Sequence, residues 1–140
     1  MKPQFADREP IAYHELGHVI AFTHFGYKVE SVEIGDNFGC TVLPKQTVNA
    51  FHLIVACHGG KVAVDRWYGW KMPNDRGWRK SRDHKRAYDA ALKMSRGDHV
   101  AAGLLMEWGE RVATAIIEEQ WSRFPDAVRL LVEHGRMEAA

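Results

Sequence analysis

The sequence predicts an α+β fold, mainly helical, with about five helices and one small β-hairpin in a single domain spanning residues 1–140. Three observations carry that expectation. The chain has 140 residues, one domain's worth, and its 46% hydrophobic and 26% charged residues are ordinary for a packed globule. Long amphipathic stretches open on residues suited to capping a helix. One pair of short alternating runs flanks a cluster of turn residues.

Asp7 is suited to cap a first helix over about 8–25, with Glu9 and Pro10 in its first turn and Gly26 as its stop. Val32 and Ile34 alternate with Glu33, Gly35-Asp36-Asn37 turns the chain, and Phe38 to Leu43 returns as the second strand. A second helix is expected over about 47–68, with Phe51, Ile54, Val55, Val62 and Ala63 inward. Gly59-Gly60 in its middle would cost about 1 kcal/mol each relative to Ala, so another backbone should pass close by. Residues 69–80, with Gly69, Pro73, Asn74 and Gly77, read as a loop. Ser81 caps a third helix over about 82–95, with Tyr88, Ala91 and Leu92 inward. Asp98 caps a fourth that runs to about Phe124, and Pro125-Asp126 opens a last one ending at Gly135. Trp108 and Trp121 are expected in the core.

Composition also narrows the partners. Nineteen Lys+Arg against eighteen Asp+Glu leave a net charge of +1, which drives the chain neither onto nucleic acid nor onto an anionic membrane. No apolar run approaches the roughly 18 residues of a membrane span, and the first residues lack the apolar stretch of a signal peptide. Cys40 and Cys57 are too few for a disulfide framework and fit reduced thiols in the cytoplasm. The segment Arg66–Arg86 interleaves Trp67, Trp70 and Trp78 with Arg76, Arg79, Lys80, Arg82, Lys85 and Arg86. Such a pattern can bind single-stranded nucleic acid by stacking and charge. The reading preferred here is a loop whose tryptophans cover the core while its cations face water. A homo-oligomer stays open.

The chemistry-bearing signal is His14-Glu15-Leu16-Gly17-His18, an H-E-x-x-H pattern on the first helix. Residues four apart share a helix face, so both imidazoles can reach one ion. Two neutral nitrogens suit Zn²⁺, which keeps a water when only three protein ligands bind. Glu15 lies about 60° around the helix from His18, placed to take a proton from that water as general base. A third ligand is needed, and two residues could supply it. His24 has the six-residue offset of the longer H-E-x-x-H-x-x-G-x-x-H pattern, but Ala21 stands where that pattern has glycine. A continuing helix would carry His24 about 120° away from His18. Asp83, at the start of the third helix, would be aimed by a rigid element, or would simply complement the helix dipole.

His14-Glu15-Leu16-Gly17-His18, then Gly59-Gly60-Lys61-Val62-Ala63, then Asp83 with Ala87 four residues on, resembles the peptidase domain of FtsH-type zinc proteases over about 8–136. The resemblance implies a zincin-like active-site helix, with His14, His18 and Asp83 as zinc ligands and Glu15 as base. It also implies that a hairpin strand offers its edge to an extended peptide. The chain departs from the family at Val64, where an acidic residue is common, and at Trp78-Arg79-Lys80, where small residues are common. It contains no G-x-x-x-x-G-K-[ST] loop, nucleotide-binding domain or membrane anchor, and Met1 lies close to the first helix, as in a stand-alone protein. The expected function is therefore a zinc-dependent, ATP-independent endopeptidase acting on flexible or unfolded polypeptide. The alternatives are a catalytically silent zinc-binding regulatory module and a zinc hydrolase of a non-peptide bond.

Overall fold

Helix α1 (Pro3–His24) opens the fold and packs most extensively on the second helix. It is followed by β1 (Ser31–Ile34), β2 (Gly39–Val42), α2 (Ala50–Trp67), α3 (Arg82–Met94), α4 (His99–Glu119), α5 (Phe124–His134) and β3 (Arg136–Glu138). The computed structural model describes residues 3–70 and 77–138. The fold is α+β and mainly helical, with five helices and a small antiparallel sheet among the described residues. None of these helices is long and apolar enough to cross a membrane.

Local chemistry explains most of the boundaries. Asn49 accepts from the Phe51 and His52 amides to start α2, Ser81 from His84 to start α3, and Asp98 from Val100 and Ala101 to start α4. Gly135 ends α5 at φ +75°, a left-handed conformation that a side chain would resist. The start of α1 differs from expectation. The helix already runs at Pro3, so Asp7 is not its cap and Pro10 lies inside it rather than in its first turn. Proline removes one amide donor there, and the helix continues regardless. Helix α4 ends at Glu119, short of Phe124, because a 3₁₀ turn at Trp121–Arg123 intervenes. Trp121 therefore sits beyond the fourth helix rather than on it. Of the loop expected over 69–80, Pro73, Asn74 and Arg76 fall outside the described residues, and Trp78–Lys80 forms a 3₁₀ turn.

The sheet has the order β2-β1-β3, antiparallel throughout, with Val32 opposite both Thr41 and Met137. The β1–β2 hairpin matches the expectation, whereas β3 has no counterpart in it. Three residues after Gly135 are too short a run to show alternation, and only the neighbouring β1 makes them a strand.

Tyr13, Leu16 and Ile20 of α1 pack with Val32, Ile34, Val62, Ile117, Phe124 and Leu131 in the main core. Tyr13 lies among the rings of Trp67, Trp121 and Phe124, with centroids 5.3–5.7 Å apart, which fixes the rotation of α1 about its axis. Trp108 corrects the expectation of a core residue. It is 59% exposed and continues an outward apolar stripe with Val100 and Leu104, while Ala102, Met106 and Ala113 form the inward face of α4.

Candidate metal centre

The close approach of α1 to α2 builds the site. A Cβ on Gly17 would collide with the Gly59 carbonyl, and one on Gly59 would lie 2.6 Å from the Gly17 oxygen. The glycine pair expected to admit another backbone therefore admits α1. Gly60 makes the adjoining space: a Cβ there would stand 2.6 Å from His18 Nε2 and 2.8 Å from His14 Nε2. The missing side chain is what leaves room for both imidazoles.

His14 and His18 stand with their rings edge to face, centroids 4.7 Å apart. Asp83, in the first turn of α3, reaches across from a separate element. Its Oδ2 is 3.0 Å from His14 Nε2 and 3.0 Å from His18 Nε2, and the two nitrogens are 3.1 Å apart. Three potential ligand atoms thus meet in a near-equilateral triangle, and this is the group among the described residues that could hold a metal ion. Of the two third-ligand candidates, the structure brings Asp83 to the histidines and leaves His24 exposed at the end of α1, its ring against Phe25.

His18 is held by its other nitrogen. Nδ1–H donates to the Ala56 carbonyl over 2.7 Å, so the Nε2 lone pair faces His14 and Asp83. Burial of His18 disfavours its charged form, but the Asp83 carboxylate, the charge of Glu15 and the Ala56 carbonyl outweigh it and hold the imidazole above its ordinary pKa. Burial likewise opposes ionisation of Asp83, and the two imidazoles overcome it, keeping the carboxyl well below the usual carboxylate range. Both shifts express one need: acceptor atoms about 3 Å apart repel unless positive charge lies among them. A proton on an imidazole meets that need in part, and a divalent ion meets it fully.

Glu15 is buried beside this triangle. Its Oε1 accepts from Thr41 Oγ1 over 2.8 Å, and Gly39 of the same strand leaves space for the carboxylate, since a Cβ there would stand 2.7 Å from Oε2. Thr41, Gly39 and the Ala56 carbonyl carry no local signal of this role in the sequence. Gly39 and Thr41 lie two apart on β2 and so share one face, a signal that becomes readable only once β2 is known to cross α1 at Glu15. Burial pushes the nearby Cys57 thiol up to about 12, which makes it an inert wall of the cleft.

The rest of the tryptophan-rich segment divides in two. Trp67 stacks on Tyr13 and Trp78 leans on His58, so these rings cover the interior, whereas Trp70 is exposed. Arg79, Lys80, Arg82, Lys85 and Arg86 face solvent. His58 is buried with Nδ1 on the Ile54 carbonyl, a packed role. In comparisons with known proteins, no family model matches this chain and no curated protein sequence matches it.

Proposed function

We propose that the chain is a zinc-dependent, ATP-independent endopeptidase acting on flexible or already unfolded polypeptide. The observation that carries the reading is the triangle of His14 Nε2, His18 Nε2 and Asp83 Oδ2, with buried Glu15 beside it. Donors sharing a tetrahedral ion at about 2.0–2.1 Å stand about 3.3 Å apart, so separations of 3.0–3.1 Å fit zinc, and a two-nitrogen, one-oxygen set leaves a fourth position open. When bound, zinc supplies the Lewis acidity that makes a water nucleophilic near neutral pH and polarises a peptide carbonyl.

The chain's own residues do the remainder. His14, His18 and Asp83 would hold the ion, and the Ala56 carbonyl fixes the tautomer of His18. Glu15 keeps Oε1 on Thr41, and Oε2, which has no hydrogen bond among the described residues, would serve as the base toward a water. Oε2 takes the proton of that water and then delivers it to the departing amine. The peptide lies along β2. In the observed register Cys40 and Val42 bond to β1, so the main-chain groups of Gly39 and Thr41 point to the open edge, where an extended chain can pair. The sequence resemblance to FtsH-type peptidase domains, through His14-Glu15-Leu16-Gly17-His18, Gly59-Gly60 and Asp83, supports the same assignment. Cys40 and Cys57 are both free thiols, which supports a reducing compartment such as the cytoplasm.

Digestion of an unstructured protein such as casein tests the reading. Wild type should digest it and stop when a chelator is added. Glu15→Gln should retain zinc and lose about 10²–10⁴-fold in rate, and His14→Ala should lose zinc and activity together. Digestion by Glu15→Gln at the wild-type rate, or digestion indifferent to chelator, would overturn the assignment.

A further inference from the structure

The cleft around the candidate centre is chemically lopsided. On one side of His14 and Glu15 lies a cavity of about 380 Å³ walled by Ile11, Phe38, Val64 and Trp78, in which Lys61 and Asp65 neutralise each other. On the other lies one of about 480 Å³ that includes His18, Asp83, Cys57, Arg82 and Arg86. Both cavities share His14, Glu15 and Gly39, so they are two halves of one groove beside the β2 edge.

Arg82 and Arg86 stand four residues apart on α3 and therefore project to the same side of it. Both are exposed, and neither has an acidic partner among the described residues. The cations nearby are disposed otherwise: Lys61 is paired with Asp65 and Glu110, and Lys85 with Asp89. The acidic groups of this half-cleft, Glu15 and Asp83, are committed to Thr41 and to the histidines. A divalent ion offsets their two charges and leaves two guanidiniums in excess. Planar guanidiniums favour carboxylates, which accept two parallel hydrogen bonds from each fork.

We infer that Arg82 and Arg86 form a carboxylate-binding subsite, so that the cleft selects polypeptide segments that are acidic on the α3 side of the centre. The inference rests on the reading that this groove accepts polypeptide. The carboxylate can come from an Asp or Glu side chain or from the terminus of the bound chain, and the chemistry of recognition is the same.

Fluorescence anisotropy separates this subsite from turnover. The zinc-loaded Glu15→Gln protein is titrated into labelled decapeptides with a central Phe, identical except that Asp-Glu is replaced by Asn-Gln. Each is made with a free carboxyl terminus and with an amidated one. The acidic peptides should bind about fivefold tighter, as expected of two partly solvated ion pairs, and the preference should fade at about 0.5 M salt. The added replacements Arg82→Ala and Arg86→Ala should abolish the preference while zinc content and Tm stay unchanged, since both side chains lie at the surface. A preference that follows the free terminus alone assigns the subsite to chain ends, and one that follows Asp-Glu assigns it to side chains. Equal or unmeasurable binding of all peptides, or a preference that survives the double replacement, would overturn the inference. Selective binding without cleavage by wild type would instead defeat the peptidase reading and leave the subsite standing.

Discussion

Thr41 holds the carboxylate that the proposed mechanism uses as its base. Its Oγ1 donates to Oε1 of Glu15, which restrains the carboxylate, and Oε2 would be left for the proton transfer of the proposed mechanism. Thr41→Val keeps the side chain's shape and deletes the donor, so kcat should fall about tenfold with KM and zinc content little changed. Steady-state kinetics beside a metal assay check this, and an unchanged kcat would show that Glu15 needs no such support. At this scale the sequence was only half legible. His14, Glu15 and His18 are neighbours on one helix, so periodicity alone places them together. Asp83 is 65 residues from His18, and no local pattern distinguishes it from an ordinary helix-dipole acid. Thr41 was silent because its partner depends on a strand-over-helix crossing.

The same helix geometry makes glycines the sensitive points of the elements. Gly60→Ala would thrust a methyl between the imidazoles, with its Cβ 2.6–2.8 Å from His18 Nε2 and His14 Nε2. Zinc affinity should fall tenfold or more, read by competition with a chromophoric chelator. Gly103→Ala is the matched control, since a Cβ there meets nothing within 4 Å. It should leave zinc affinity alone and raise stability by about 0.5–1 kcal/mol through helix propensity. Equal zinc affinity in Gly60→Ala would show that the imidazoles do not need this opening. Element boundaries were legible where caps fix them, at Ser81, Asp98 and Gly135. Pro10 misled because proline suits the first turn of a helix but is also accommodated inside one at the loss of a single amide donor. Trp108 misled because an apolar stripe of Val100, Leu104 and Trp108 has the same spacing whether it faces core or solvent.

For the molecule as a whole, the proposed ligation would couple stability to pH, with opposite signs in the metal-free protein and in the zinc increment. His18 is held above its ordinary 6.5, so in metal-free protein its contribution is complete below about pH 6.5 and disappears as pH rises through the elevated value. Asp83 is held below its ordinary 3.8, so its contribution is present above about pH 4 and is lost on acidification. Chelated protein should therefore be most stable between these limits and soften toward pH 8. Zinc requires deprotonated ligands, so the rise in Tm on adding zinc should grow over the same interval. Thermal melts at pH 5, 6.5 and 8 with zinc or chelator provide the check, and a zinc increment that shrinks toward pH 8 would contradict this ligand set. The arrangement of helices has one more consequence. His14 and His18 are in position once α1 coils, but α3 leans on α2 and α4 and meets the histidines through Asp83. A newly made or damaged chain that has not seated α3 would carry only two of the three proposed ligands. With the proposed ligand set, an ion would be kept only by a chain in which α3 has docked, so ion retention would report that this helix is seated.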